Sequence, residues 1–121
     1  MMMTPGAAIL TAILTRIGAV PYAVANGRSH TKKVARYSLP NGNPLVLEVD
    51  RKVPNLWMRP EHERGVFHKL GETELYAPGR GRHSNLRQIR EFAGRELVKI
   101  SLPRMNWPDI EAALGIVAGV R

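Results

Sequence analysis

The sequence predicts an α+β domain: a small antiparallel or mixed sheet with one helix before it and one after it on the same side. Three observations carry this. A helical apolar period opens the chain, short β-prone runs broken by Pro, Gly and Asn fill its middle, and a second helical period closes it. At 121 residues, 44% of them hydrophobic, the chain has the size and apolar content of one domain with its own core, spanning residues 1–121.

The first helix starts at Thr4-Pro5, an N-cap followed by proline at the first helical position. Ile9, Leu10, Ile13, Leu14 and Ile17 then recur at helical spacing, and Gly18 is placed to end the helix. Arg16 interrupts this apolar stretch and no basic segment precedes it, so residues 1–20 read as a core helix rather than a signal peptide or membrane span. Val20 to Val24 is a short strand, and Asn26-Gly27 a turn. From Lys33 to Leu39 the pattern alternates, with Val34, Arg36 and Ser38 on one face and Ala35, Tyr37 and Leu39 on the other. The turn Pro40–Pro44 and the apolar run Leu45 to Val49 complete a hairpin.

Asn55 to Arg59 reads as another strand and Pro60 to Gly65 as a charged loop. Glu74 to Ala77 is a short strand followed by a Pro-Gly loop, and Asn85 to Phe92 has weak helical character ended by Gly94. Glu96 to Leu102 alternates as a strand should. The last helix begins at Trp107-Pro108-Asp109 and turns Ile110, Ala113, Leu114 and Val117 inward.

Charge is concentrated. Eighteen basic and ten acidic residues leave a net charge of +8. Residues 27–52 hold six basic and two acidic residues, residues 80–104 hold seven and two, and the remainder sums to −1. Each block opens on a glycine-containing turn. A surface of this kind favours polyanions, and arginine forks suit phosphate. The expected contact set is Arg28, Lys32, Lys33, Arg36, Arg80, Arg82, His83, Arg87 and Arg90, facing DNA or RNA. An acidic protein partner, as for a phage-type inhibitor of a nucleic-acid-handling complex, is the alternative use of that charge. A charged surface that merely keeps the protein soluble is the third. The seven aromatic residues are scattered and read as core rather than as a stacking platform.

The absence of cysteine excludes a disulfide scaffold and thiolate zinc, and suits the cytoplasm. The four histidines lack metal-ligand spacing, and Walker loops, nucleophile elbows and dinucleotide fingerprints are missing. No metal or cofactor is expected. Asp50-Arg51-Lys52 has the acid-x-Lys form of some nucleases, but no Asp or Glu precedes Glu48 to supply the second acid usually found earlier in the chain, so it reads as a strand end. Ser84 or Asn85 reads as a helix cap beside Arg82 and His83.

Gly27-Arg28-Ser29-His30, after a helix and a strand and before a basic strand and hairpin, resembles the HicA-type ribonuclease toxins over residues 9–50. That family has a double-stranded-RNA-binding-like fold and a working histidine in a Gly-Ser-His stretch. The resemblance implies a metal-independent ribonuclease with His30 as general acid or base on a ribose 2′-hydroxyl, and Lys32 or Lys33 stabilising phosphate charge. Arg28 stands between Gly27 and Ser29, a departure from the family run, and the C-terminal part of the chain is foreign to that family.

Overall fold

The computed structural model describes residues 4–21, 33–68, 70–78, 92–102 and 106–119. Elements follow in the order α1 (Pro5–Arg16), β1 (Val20–Pro21), β2 (Val34–Ser38), β3 (Pro44–Glu48), β4 (Asn55–Met58), α2 (Pro60–Glu63), β5 (Glu72–Tyr76), β6 (Leu97–Ser101) and α3 (Trp107–Val117). The six strands form one sheet in the order β1-β2-β3-β4-β6-β5, and every neighbouring pair is antiparallel. The α+β class and the two terminal helices therefore stand as the sequence predicts.

Each end of α1 is held chemically. Thr4 is the N-cap, its hydroxyl accepting from the Ala7 amide and donating to the Arg51 carbonyl, which ties the helix start to the chain after β3. After the last turn Gly18 adopts φ +91°, a left-handed conformation that costs glycine little. Leu10, Ile13 and Leu14 are buried as their spacing requires, whereas Ile9 points outward. In α3 the buried positions are Ile110, Ala113, Leu114 and Val117, the predicted set. The side chain of Asn41, in the β2–β3 turn, donates to the Val117 carbonyl at 2.8 Å and so satisfies an acceptor at the end of α3.

Both helices cover one face of the sheet. Their apolar sides meet Ala35, Tyr37, Leu45, Leu47, Leu56, Met58, Val98 and Ile100 in a single core. The alternation predicted for β2 is seen here: Ala35 and Tyr37 face the helices while Val34 joins a second cluster on the opposite face.

Among the described residues one segment differs from its predicted state; the predicted Asn26-Gly27 turn, the end of the strand predicted over Val20 to Val24, and residues 85–91 of the predicted Asn85 to Phe92 helix lie outside them. Pro60 to Gly65 was expected as a loop, but Pro60–Glu63 forms a single helical turn. Pro60 supplies a helix-compatible φ at the first position, Glu61 and Glu63 sit in the first turn, and Arg64 closes it at φ 61°. Glu63 is buried, with a carboxylate oxygen accepting from the Phe67 amide. Gly71 passes so close to β6 that a Cβ there would lie 2.1 Å from the Ser101 carbonyl oxygen.

Candidate functional site

The register fixes which side chains share the face turned away from α1 and α3. Arg36 pairs with Val46, Val46 with Trp57, Trp57 with Lys99 and Lys99 with Glu74, so these five form one row across β2, β3, β4, β6 and β5. A second row of the same parity runs from Val34 through Glu48, and on through Asn55 and Ser101 to Glu72. Alternation of side chains then puts both rows on one face.

The centre of this face is a buried carboxylate. Glu48 is 1% exposed. Its Oε2 accepts from Asn55 Nδ2 at 2.9 Å and from Trp57 Nε1 at 2.8 Å, and its Oε1 accepts from Arg51 Nε at 2.9 Å. Ser101 Oγ extends the chain by donating to Asn55 Oδ1 at 2.8 Å. Burial would raise the Glu48 pKa, but the donors Trp57, Asn55 and Arg51 outweigh it and hold the carboxyl below its ordinary value. Glu48 is thus a structural anion that orients Trp57.

Beside it lies an aromatic–ammonium cluster. Trp57 and Tyr76 meet edge to face with ring centroids 4.9 Å apart. Lys99 Nζ donates to the Tyr76 hydroxyl at 3.1 Å, lies 5.3 Å from the Tyr76 ring centroid and sits 3.4 Å from Glu74 Oε1. Desolvation alone would lower the Lys99 pKa, yet the Tyr76 and Glu74 contacts carry it above its ordinary value. Val34, Val46, Phe92 and Leu97 close the apolar part of the cluster.

Among the described residues this face holds no nucleophile set beside a base. The Ser101 hydroxyl is directed to an amide oxygen, and the described histidines, His62 and His68, lie off the strands. His62 is partly buried in α2, its Nδ1 lacking a hydrogen-bond partner, and burial lowers its pKa against the opposing pull of Glu61. His68 Nδ1 bonds the Gly65 carbonyl. Among the described residues no three His, Asp or Glu side chains gather as a metal site would require. Asp50 and Lys52 are exposed, while Arg51 between them turns back to Glu48.

Of the expected contact residues, Lys33 is exposed at the entry to β2. Arg36 is buried at 7% exposure, a placement within the sheet face rather than on its surface. His30, Arg28, Lys32, Arg80, Arg82, His83, Arg87 and Arg90 lie outside the described residues, as do Gly27 and Ser29. From the second basic block, Arg95 is exposed and Lys99 half-buried. The Glu48 network went unrecognised in the sequence, although one signal was there: an acidic residue at the end of an apolar strand, at the same parity as Asn55 and Trp57.

No protein-family model, curated protein or solved structure matches this chain. Among the described residues no helix is long and apolar enough to cross a membrane.

Proposed function

We propose that this protein is a cytoplasmic nucleic-acid-binding module that contacts the phosphate backbone through its two basic blocks. The observation that supports this reading is the concentration of positive charge in two blocks, of which the described Lys33 and Arg95 are exposed. Lys33 leads into β2 and Arg95 into β6, which are three strand spacings apart and enter from opposite ends, since Val34 lies in the row of Ser101 and Leu97 in the row of Tyr76. With strand spacing of about 4.8 Å and a rise of about 3.4 Å per residue, the two entry points are about 20 Å apart on the diagonal. Lys33 and Arg95 are then too far apart to share one phosphate. They span roughly six nucleotides of one strand at about 3.4 Å each. The hydrogen-bonded Glu48, Trp57 and Lys99 lie on β3, β4 and β6, which span the sheet between these two residues, and a framework ordered before binding favours affinity.

The test is fluorescence anisotropy with labelled duplex and single-stranded DNA and RNA over a salt series. Binding through six to ten phosphates loses about 10³ to 10⁵ in affinity between roughly 50 and 200 mM salt. Lys33→Ala and Arg82→Ala should each weaken binding and reduce the slope of log K against log salt by about one. Absence of binding, or binding that does not change with salt, overturns the reading.

A further inference from the structure

Among the described residues the turn between β2 and β3 holds the one asparagine–glycine pair, Asn41-Gly42, and both residues are exposed. Gly42 has no side chain to crowd its own amide nitrogen, and where a Cβ would lie there is open space. The Asn41 carboxamide is engaged at both ends. Its Nδ2 donates to the Val117 carbonyl at 2.8 Å and its Oδ1 accepts from the Asn43 amide at 3.2 Å. The Gly42 amide donates to the Leu39 carbonyl at 2.7 Å.

We propose that Asn41 is a site of spontaneous deamidation, and that the modification releases the C-terminal end of α3. The deprotonated Gly42 nitrogen attacks Asn41 Cγ and closes a five-membered imide. The Cγ–Nδ2 bond breaks, and ammonia leaves with the proton that Gly42 gave up. One solvent water then opens the imide, leaving aspartate or isoaspartate in place of Asn41. The Asn43 amide, already donating to Oδ1, stabilises the negative charge that this oxygen gains in the attack. Two hydrogen bonds restrain the reaction, from Gly42 to Leu39 and from Asn41 Nδ2 to Val117. The second lies at a helix end, where local opening costs least. Neither product has an Nδ2 donor for the Val117 carbonyl, and each sets a carboxylate at the negative end of the α3 dipole. The turn packs directly on that end: a Cβ at Gly119 would lie 3.4 Å from Asn41 Cβ. Val117 and Ala118, each 1% exposed, are the core residues that loosen with it.

Peptide mapping by mass spectrometry tests the chemistry on the full chain, kept in warm neutral buffer with and without guanidinium. Asn41 should convert from amide to carboxyl in both, about tenfold more slowly in the folded protein, the effect of two ordinary hydrogen bonds that must open. Asn26-Gly27 in the denatured chain serves as the internal standard. Asn41→Asp makes one product directly. Hydrogen exchange at Ala118 and Gly119, whose amides bond within the last turn, should quicken about fivefold in Asn41→Ala and about threefold more in Asn41→Asp, where repulsion is added to the lost bond. Deamidated wild type, separated by its lower positive charge, should exchange as Asn41→Asp does. Asn41 intact in the folded protein after many denatured-state lifetimes overturns the site. Exchange no faster in Asn41→Asp and in the deamidated protein than in Asn41→Ala overturns the release of α3.

Discussion

Replacing Glu48 tests whether the buried carboxylate holds the sheet face together. In Glu48→Gln the amide oxygen can still accept from Trp57 Nε1 and Asn55 Nδ2, now 2.8 and 2.9 Å from Oε2, but as a neutral acceptor. Hydrogen bonds to a charged group contribute about 1.5–3 kcal/mol and neutral ones about 0.5–1.5, so roughly 1 kcal/mol is lost at each. The third donor matters less, because the Arg51 side chain is 59% exposed and water can replace its partner; an exposed pair contributes under about 1 kcal/mol. The expected total for Glu48→Gln is about 2 kcal/mol. Glu48→Ala strands two buried donors at about 1–3 kcal/mol each and opens a cavity, for about 4 kcal/mol. Urea unfolding reads both. With a slope of about 2 kcal/mol per molar, Glu48→Gln moves the midpoint by about 1 M. The pH dependence has a definite sign. A carboxyl held below its ordinary pKa stabilises the fold above the unfolded value and loses that contribution as pH falls through the folded value. The gap between wild type and Glu48→Gln should stay constant above about pH 5 and close below it, given an unfolded Glu pKa of about 4.3. Equal midpoints for the two proteins at neutral pH, or a gap that widens in acid, would refute the account.

Two further substitutions probe how distant segments are joined. Gly71→Ala places a Cβ 2.1 Å from the Ser101 carbonyl oxygen, a backbone clash that must push β6 and the chain before β5 apart; a loss above about 3 kcal/mol, read by thermal unfolding, is expected for strain of this kind. Asn41→Ala removes the donor to the Val117 carbonyl and should destabilise by about 1 kcal/mol, with faster hydrogen exchange confined to the last turn of α3 and the β2–β3 turn.

The elements read most clearly from sequence are those whose signals are local. The helix α1 announces itself through a capping threonine, a proline and a 3.6-residue apolar period, and the β2–β3 hairpin through alternation about a Pro-Asn-Gly turn. Those interactions lie within a few residues of each other, so the sequence order already places them together. The one-turn helix at Pro60–Glu63 leaves no mark in the sequence because four residues are too few for any period to show.

By itself the sequence determined the fold class, both terminal helices with α3's buried positions, the alternation of β2 and the concentration of positive charge in two blocks. Only the tertiary structure decided that β6 inserts between β4 and β5, that Arg36 is buried, and that Glu48 is an anion bonded to Trp57, Asn55 and Arg51. The reason is the same in each case. Which side chains a strand face covers or bonds is set by which strands meet, a matter of register between distant parts of the chain; Glu48 lies inside because Asn55 and Trp57 of β4 donate to it. The placement of Lys33 and Arg95 belongs to that second class: composition says that the basic blocks exist, and the strand order sets these two residues at the starts of β2 and β6, three strand spacings apart.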